Sequence, residues 1–430
     1  MTYRPRKIII CFDGTGNEIG KNETNILRLY QGLRDDETQL KHYVPGIGTL
    51  EGPRLVNSKL ARNFRSLIGL AFGLGLENDV LDAYSFLCRH YRDGKDQAFP
   101  ERDQIYIFGF SRGAYAARIL AGFLFNVGLL DPERLHLVAE VFRAYRAVTE
   151  TERMGQDDDI TFAQLRAYDS VLDPNRSIPV RMLGLFDTVS SMVRLRKPLA
   201  TVARTGSIIE LGTHANIAEN PSVRIVLQAL AVDEKRSMFR PLLWQHSDYY
   251  PNRFRHGNHK RKQYVEQRWF PGYHSDVGGS AGGDNDVKIG KRSLSWMLTA
   301  MAQAEHDADR EDAQAHGLTS IPEKRLLRLK PSLKKMATVA APSDSSGNWH
   351  DPYAMAPIHP SMSLGWMPLE YLIPKTRLRR EWPHQNAGPR WYLPSQEPRR
   401  VPNGHIIDES VYERMEGHPT YCPENIPKTR

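Results

Sequence analysis

Cysteine is scarce, with three in 430 residues, at positions 11, 88 and 422. Thiols so few and so scattered cannot build a disulfide framework, and none has the spacing of a zinc site. Long apolar runs are missing as well. The nearest stretch, Phe64 to Leu76, carries Arg65 and repeated glycines, which is too interrupted for a membrane span. The opening MTYRPRKIIICFDGTG has too short an apolar run for a secretory signal. There is no internal repeat, no low-complexity tract and no H-E-x-x-H run. Acidic excess is also lacking: 58 Lys and Arg against 50 Asp and Glu leave a net charge of +8. A basic balance favours anionic partners. Two basic patches, Arg253 to Arg268 and Lys375 to Arg380, match no zinc-finger or RNA-recognition pattern, which disfavours nucleic acid.

What is present is alternation. Lys7–Phe12, His42–Val44, Ile105–Phe110, Arg181–Phe186 and Val265–Phe270 read as strands, each apolar and several ended by Asp or Pro with Gly. Helical spacing appears over Asn25–Leu33, Val80–Tyr91, Ala114–Phe125, Leu137–Tyr145 and Leu294–Met301, and Val223–Val232 is expected to be another helix. The acidic stretch Glu305–Asp312 is expected to be a solvated face. Strands alternating with helices predict an α/β fold: a mostly parallel central sheet with helices on both faces. The predicted core is 1–310. Residues 311–430 differ, because fifteen of the 28 prolines lie between Pro331 and Pro427, alongside Trp349, Trp366, Trp382 and Trp391. They predict an irregular cap or cladding segment packed on the core.

Asp13 to Asn22 is a glycine-rich turn after the first strand, but it fits neither the Walker nor the dinucleotide fingerprint. Gly109-Phe110-Ser111-Arg112-Gly113 stands between a strand and an alanine-rich helix, the context in which G-x-S-x-G forms a nucleophile elbow. A serine nucleophile needs a base and a group to orient it. Asp187 ends the strand Arg181–Phe186, and His274 lies in Pro271–Gly279 after another strand. The order Ser111, Asp187, His274 is that of α/β hydrolases. The expected oxyanion donors are the N–H of Arg112 and of Gly14 or Thr15. Asp13 and Asp276 are possible secondary acids. With Asp284 and Asp286 they are also the weak candidates for a metal, although the closing glutamate of a calcium loop is absent.

These residues carry a resemblance. CFDGTGN at 11–17, NETNI at 22–26, YVPGIGT at 43–49, IYIFGFSRGAYAAR at 105–118, GLFDTVSS at 184–191, AVDEKRSMF at 231–239 and PGYHSDVGG at 271–279 resemble blocks of an uncharacterised α/β-hydrolase-like domain family. That family includes the family-one lipase effectors of bacterial type VI secretion. The resemblance implies a serine esterase acting on phospholipids or other lipid esters, with Ser111 as nucleophile, His274 as base and Asp187 as orienting acid. It implies a lipid or small-molecule ester substrate; acyl transfer through a serine needs no cofactor, and the +8 charge suits peripheral contact with an anionic membrane surface. The location expected is the cytoplasm, or export without a signal peptide if the chain is an effector. Two alternatives stand beside it: a metal-assisted phosphoesterase using loop aspartates, and an inactive hydrolase-fold protein that binds or regulates.

Overall fold

The structure is a computed structural model that describes residues 5–14, 23–46, 75–93, 102–152, 168, 178–189, 193–195, 209–211, 216–250, 260–282, 289–315, 326–339, 353–363, 366–371, 375–376, 391–393 and 395–426. Its centre is a seven-stranded sheet. The strands are β1 (Lys7–Phe12), β2 (Gln39–Val44), β3 (Gln104–Phe110), β4 (Val180–Phe186), β5 (Val223–Ala231), β6 (Tyr264–Phe270) and β7 (Ile406–Ile407). They lie in the order β7-β6-β5-β4-β3-β1-β2, with every pairing parallel. This is an α/β-hydrolase-like architecture. The chain steps outward from β1 to β2 and then returns to lay β3 on the other side of β1. The carboxyl ends of β1 and β3 therefore border a topological switch point, where open α/β sheets bind ligands.

Alternation along the strands sorts the core into two layers. Ile8, Ile10 and Phe12 of β1 and Ile105 and Ile107 of β3 face α2 (Leu76–His90), α3 (Arg112–Asn126) and α4 (Val138–Glu152). Ile9 and Cys11, with Tyr106, Phe108 and Phe110, face α1 (Asn25–Gly32), α6 (Gly290–Ala315) and α7 (Pro331–Val339). Burying both faces is why these strands read as nearly unbroken apolar runs.

The same property explains a correction. Val223–Val232 is not a helix: Val223–Ala231 is strand β5, buried along its whole length between β4 and β6. An apolar run covered on both sides has no period to distinguish strand from helix. The expected solvated face at Glu305–Asp312 is corrected too. These residues continue α6, and Glu305 is buried, receiving Arg181 Nη2 at 2.7 Å. Asp309 and Asp312 also pair with Arg181, while Glu311 and Asp312 pair with Arg224 of β5. Two buried arginines on the strands thus draw the acidic helix onto the sheet.

Residue 310 lies inside α6, and β7 joins the sheet edge through Arg268 and Trp269 of β6. Two short helices, α8 (Met367–Tyr371) and α9 (Glu409–Gly417), follow α7. Asp408 caps α9 and accepts from Arg292 of α6 at 2.9 Å. Trp349 and Trp382 lie outside the described residues, as do Arg377, Arg379 and Arg380. Among the described residues, no helix is long and apolar enough to cross a membrane.

Candidate active site

Ser111 stands between β3 and α3 with φ 59° and ψ −121°, a conformation that non-glycine residues adopt at a cost of about 1–3 kcal/mol. Its two flanking glycines make the turn possible. A Cβ on Gly109 would lie 2.5 Å from the Gly113 carbonyl oxygen, and one on Gly113 would lie 2.4 Å from that of Phe12. The elbow is so tight that the start of α3 rests against the end of β1. Arg112 opens α3, so its N–H belongs to the positive end of the helix beside Ser111.

His274 is the first residue of a one-turn helix, α5 (His274–Val277), which begins four residues after β6. Its Nε2 lies 2.7 Å from Ser111 Oγ, and its Nδ1 lies 2.5 Å from Asp187 Oδ2. Asp187 follows β4 directly, with φ 41°. The structure therefore brings together all three residues that the sequence singled out, each just past the carboxyl end of a strand. With Asp187 ionised, the ring proton belongs on Nδ1 and leaves Nε2 to accept the serine O–H.

The surroundings of the imidazole were less visible in the sequence. Phe110 packs beside it with ring centroids 4.9 Å apart, and Phe239 meets it edge-on at the same distance. Trp366 in turn stands edge-on to Phe239. The His274 N–H donates to Glu234 Oε2 at 3.3 Å. Glu234 is buried in a two-point pair with Arg236, whose guanidinium lies over the Phe239 ring. Asp187 is held by Arg399 at 2.6 and 3.0 Å and by the N–H of Ala231 at 3.0 Å. Glu234, Arg236 and Phe239 belong to the AVDEKRSMF block, which offered no chemical spacing of its own. Arg399 sits among prolines and carried no signal.

Burial and charge oppose one another here. Burial alone would raise the Asp187 carboxyl, but Arg399 and the hydrogen bond to His274 outweigh it and hold Asp187 well below the usual carboxylate range. Burial would likewise raise Glu234, yet Arg236 brings it down to about 2. For His274 burial dominates and lowers the imidazole, with Asp187 pulling the other way. A neutral imidazole beside an ionised Asp187 is thus the favoured state near neutral pH.

The remaining candidates are tied elsewhere. Asp13 accepts from Tyr43 Oη at 2.6 Å, Thr24 Oγ1 at 2.8 Å and the Gly14 N–H at 2.6 Å. The Gly14 N–H thus meets the Asp13 carboxylate. Thr15 lies outside the described residues. Asp276 accepts from the Tyr273 N–H and, at 2.9 Å, from the His359 N–H, with His359 Nδ1 at 2.7 Å. These bonds make Asp13 a tie between the end of β1, Tyr43 and Thr24, and Asp276 a link between α5 and the C-terminal segment. Asp284 and Asp286 are outside the described residues. Among the described residues, no three His, Cys, Asp or Glu side chains cluster as a metal site.

The NETNI block also acquires a structural account. Thr24 caps α1 by accepting from the Leu27 N–H. Asn25 Nδ2 donates to the carbonyls of Val277 and Gly290, which fastens α1 to α5 and α6 behind His274.

An uncharacterized protein of Saccharomyces cerevisiae, YEL023C, is 30% identical over 257 residues, which are 58% of this chain and 34% of that protein. The chain thus spans about a third of the length of that relative. Two solved structures are similar at lower identity. A Tle1 effector bound to the VgrG spike of the type 6 secretion system is 20% identical, covering 66% of this chain and 53% of that one, with a TM-score of 0.31. An uncharacterized protein from Pseudomonas aeruginosa is 17% identical, covering 78% and 49%, with a TM-score of 0.32. The sequence model for the family described as "T6SS, Phospholipase effector Tle1-like, catalytic domain" matches residues 6–300. A match over so much of the chain, including every block from CFDGTGN to PGYHSDVGG, means that the protein belongs to the Tle1-like phospholipase effector catalytic domain family.

Proposed function

We propose that the protein is a serine esterase that cleaves carboxylic esters of phospholipids or related lipids through Ser111, His274 and Asp187. The observation that carries this reading is the continuous chain of hydrogen-bond contacts from Ser111 Oγ through His274 to Asp187. In the first step, Ser111 Oγ attacks the ester carbonyl carbon while its proton passes to His274 Nε2. Asp187 holds the imidazole tautomer and supports the imidazolium. As the tetrahedral intermediate collapses, the ester C–O bond breaks and the leaving alcohol takes the proton from Nε2. Water then attacks the acyl-enzyme by the same route, releasing the fatty acid and restoring Ser111. The N–H of Arg112, at the positive end of α3, is one donor to the oxyanion. The second donor comes from the turn after β1, at Gly14 or Thr15. For Gly14 to serve, its N–H must leave Asp13 Oδ1, which it meets at 2.6 Å.

Parts of the segment 311–430 serve as a cap over this site. Support comes from its contacts: Trp366 against Phe239, Ser361 Oγ on Glu234, His359 on Asp276 and Arg399 on Asp187. The family assignment favours phospholipid as the substrate class, and the +8 charge is compatible with an anionic lipid surface.

The test is covalent labelling by a fluorophosphonate, in which an Oγ–P bond forms, the P–F bond breaks, fluoride leaves and the serine proton goes to His274. Wild-type protein should be labelled and Ser111→Ala should not. Equal labelling of the two, or none of the folded wild type, overturns the role of Ser111. Fatty acid release from phospholipid vesicles then tests the substrate class. Hydrolysis of short-chain esters alone would overturn the phospholipid assignment.

A further inference from the structure

We infer that Arg399 is a positioning residue for the Asp187–His274 pair, its single guanidinium fixing the orienting carboxylate and an aromatic wall of the imidazole together. The inference deepens the proposed Ser111–His274–Asp187 reading and rests on it. Arg399 is completely buried although it lies 212 residues beyond Asp187, in a segment outside the family match at 6–300. Nη1 meets Asp187 Oδ1 at 2.6 Å and Nη2 meets Oδ2 at 3.0 Å, a two-point fork that fixes the carboxylate plane. Nη1 also donates to the Ala231 carbonyl at 3.0 Å, at the end of β5. Nε donates to the Phe239 carbonyl at 3.1 Å, and Nη2 meets the same oxygen. The Phe239 ring is the one that stands edge-on to His274. The backbone of Arg399 is itself secured, since Asn425 Nδ2 bridges the carbonyls of Arg399 and Val232.

Geometry and charge act in one direction. The groups facing His274 are Ser111, Asp187, Glu234, Arg236, Phe110 and Phe239, and those facing Asp187 are His274, Arg399 and the Ala231 N–H. Asp187 attracts a proton onto the imidazole. A guanidinium in contact with both carboxylate oxygens offsets that attraction, so His274 remains neutral and able to accept the serine proton at lower pH. A lysine could supply the charge without the fork.

The experiment uses the full chain and the pH dependence of the fluorophosphonate labelling rate constant. Label amplitude counts folded sites, and the rate constant reports their reactivity, so folding and positioning are read separately. Arg399→Gln should move the midpoint of the acid limb up by about one pH unit and lower the plateau rate constant by about ten- to a hundred-fold. Arg399→Lys should keep the midpoint near that of wild type while losing rate. In an Asp187→Asn background, Arg399→Gln should leave the midpoint where it is, because the carboxylate through which Arg399 acts is gone. A labelled wild type with an Arg399→Gln that changes amplitude alone overturns the inference and leaves the serine esterase reading standing. If Arg399→Gln does not fold, a wild-type rate constant in Arg399→Lys overturns it equally. An unlabelled wild type overturns both.

Discussion

Replacing Gly113 by alanine tests whether the contact between the elbow and the first strand sets the reactivity of Ser111. The new Cβ would sit 2.4 Å from the Phe12 carbonyl oxygen and 2.5 Å from that of Asp13, closer than the 3.0 Å below which real Cβ atoms essentially never approach. Both oxygens belong to backbone at the end of β1, which is paired with β2 on one side and β3 on the other. No side chain can rotate out of the way. The start of α3 must withdraw by more than half an ångström, or β1 must yield. Overpacking of this kind costs about 1–3 kcal/mol. The shift also displaces Ser111 relative to His274 Nε2, now 2.7 Å distant, and a misplacement of about 1 Å can cost about a hundredfold in rate. Urea unfolding and fluorophosphonate labelling read the two effects side by side. Gly113→Ala should lose both stability and labelling rate, whereas Ser111→Ala should lose labelling and retain stability. Wild-type stability and rate in Gly113→Ala would refute the argument that this contact holds the elbow in place.

Two further outcomes concern stability. Glu234, at about 2 in the folded protein against an ordinary 4.5, contributes stability that is present above about pH 4.5 and lost as pH falls towards 2. That contribution is on the order of 3 kcal/mol. Urea midpoints between pH 2 and 7 should therefore fall more steeply in wild type than in Glu234→Gln, and parallel curves would count against the pairing with Arg236. Glu305→Ala strips the most buried partner from Arg181, at an expected cost of about 3 kcal/mol in urea unfolding. Asp312→Ala, at a side chain 30% exposed, should cost under about 1 kcal/mol, and equal losses would contradict the ranking by burial.

The legible parts of this fold share a physical cause. Strands that end in a sharp reversal announce themselves by composition, so Phe12-Asp13-Gly14, Phe110-Ser111-Arg112-Gly113 and Phe270-Pro271-Gly272 located the candidate edge of the sheet. Reactive groups placed after strands of one parallel sheet lie along the same edge, which is why position at strand ends, more than chain order, pointed to Ser111, Asp187 and His274. Interior strands are harder, since Val223–Ala231 lacks the alternation that one wet face would impose. Glu305 looked like surface because its partner, Arg181, is 124 residues away and nothing local hints at it. Arg399 is harder still, for long-range ion pairs leave no periodic trace and prolines on either side suggest only loop.

The distance along the chain between Asp187 and Arg399 has a meaning in time as well as in space. A ribosome adding about 5–20 residues per second makes Arg399 roughly 10–40 s after Asp187, since 212 residues separate them. Throughout that interval the nascent chain carries a carboxylate with no guanidinium to clasp, and once β6 is made its edge has no β7 beside it. The proposed Ser111–His274–Asp187 centre therefore gains its clamp long after its acid is made. Prematurely terminated chains lacking this arginine would carry Ser111, Asp187 and His274 with the acid unclamped, so vectorial synthesis itself delays the assembly of the proposed site.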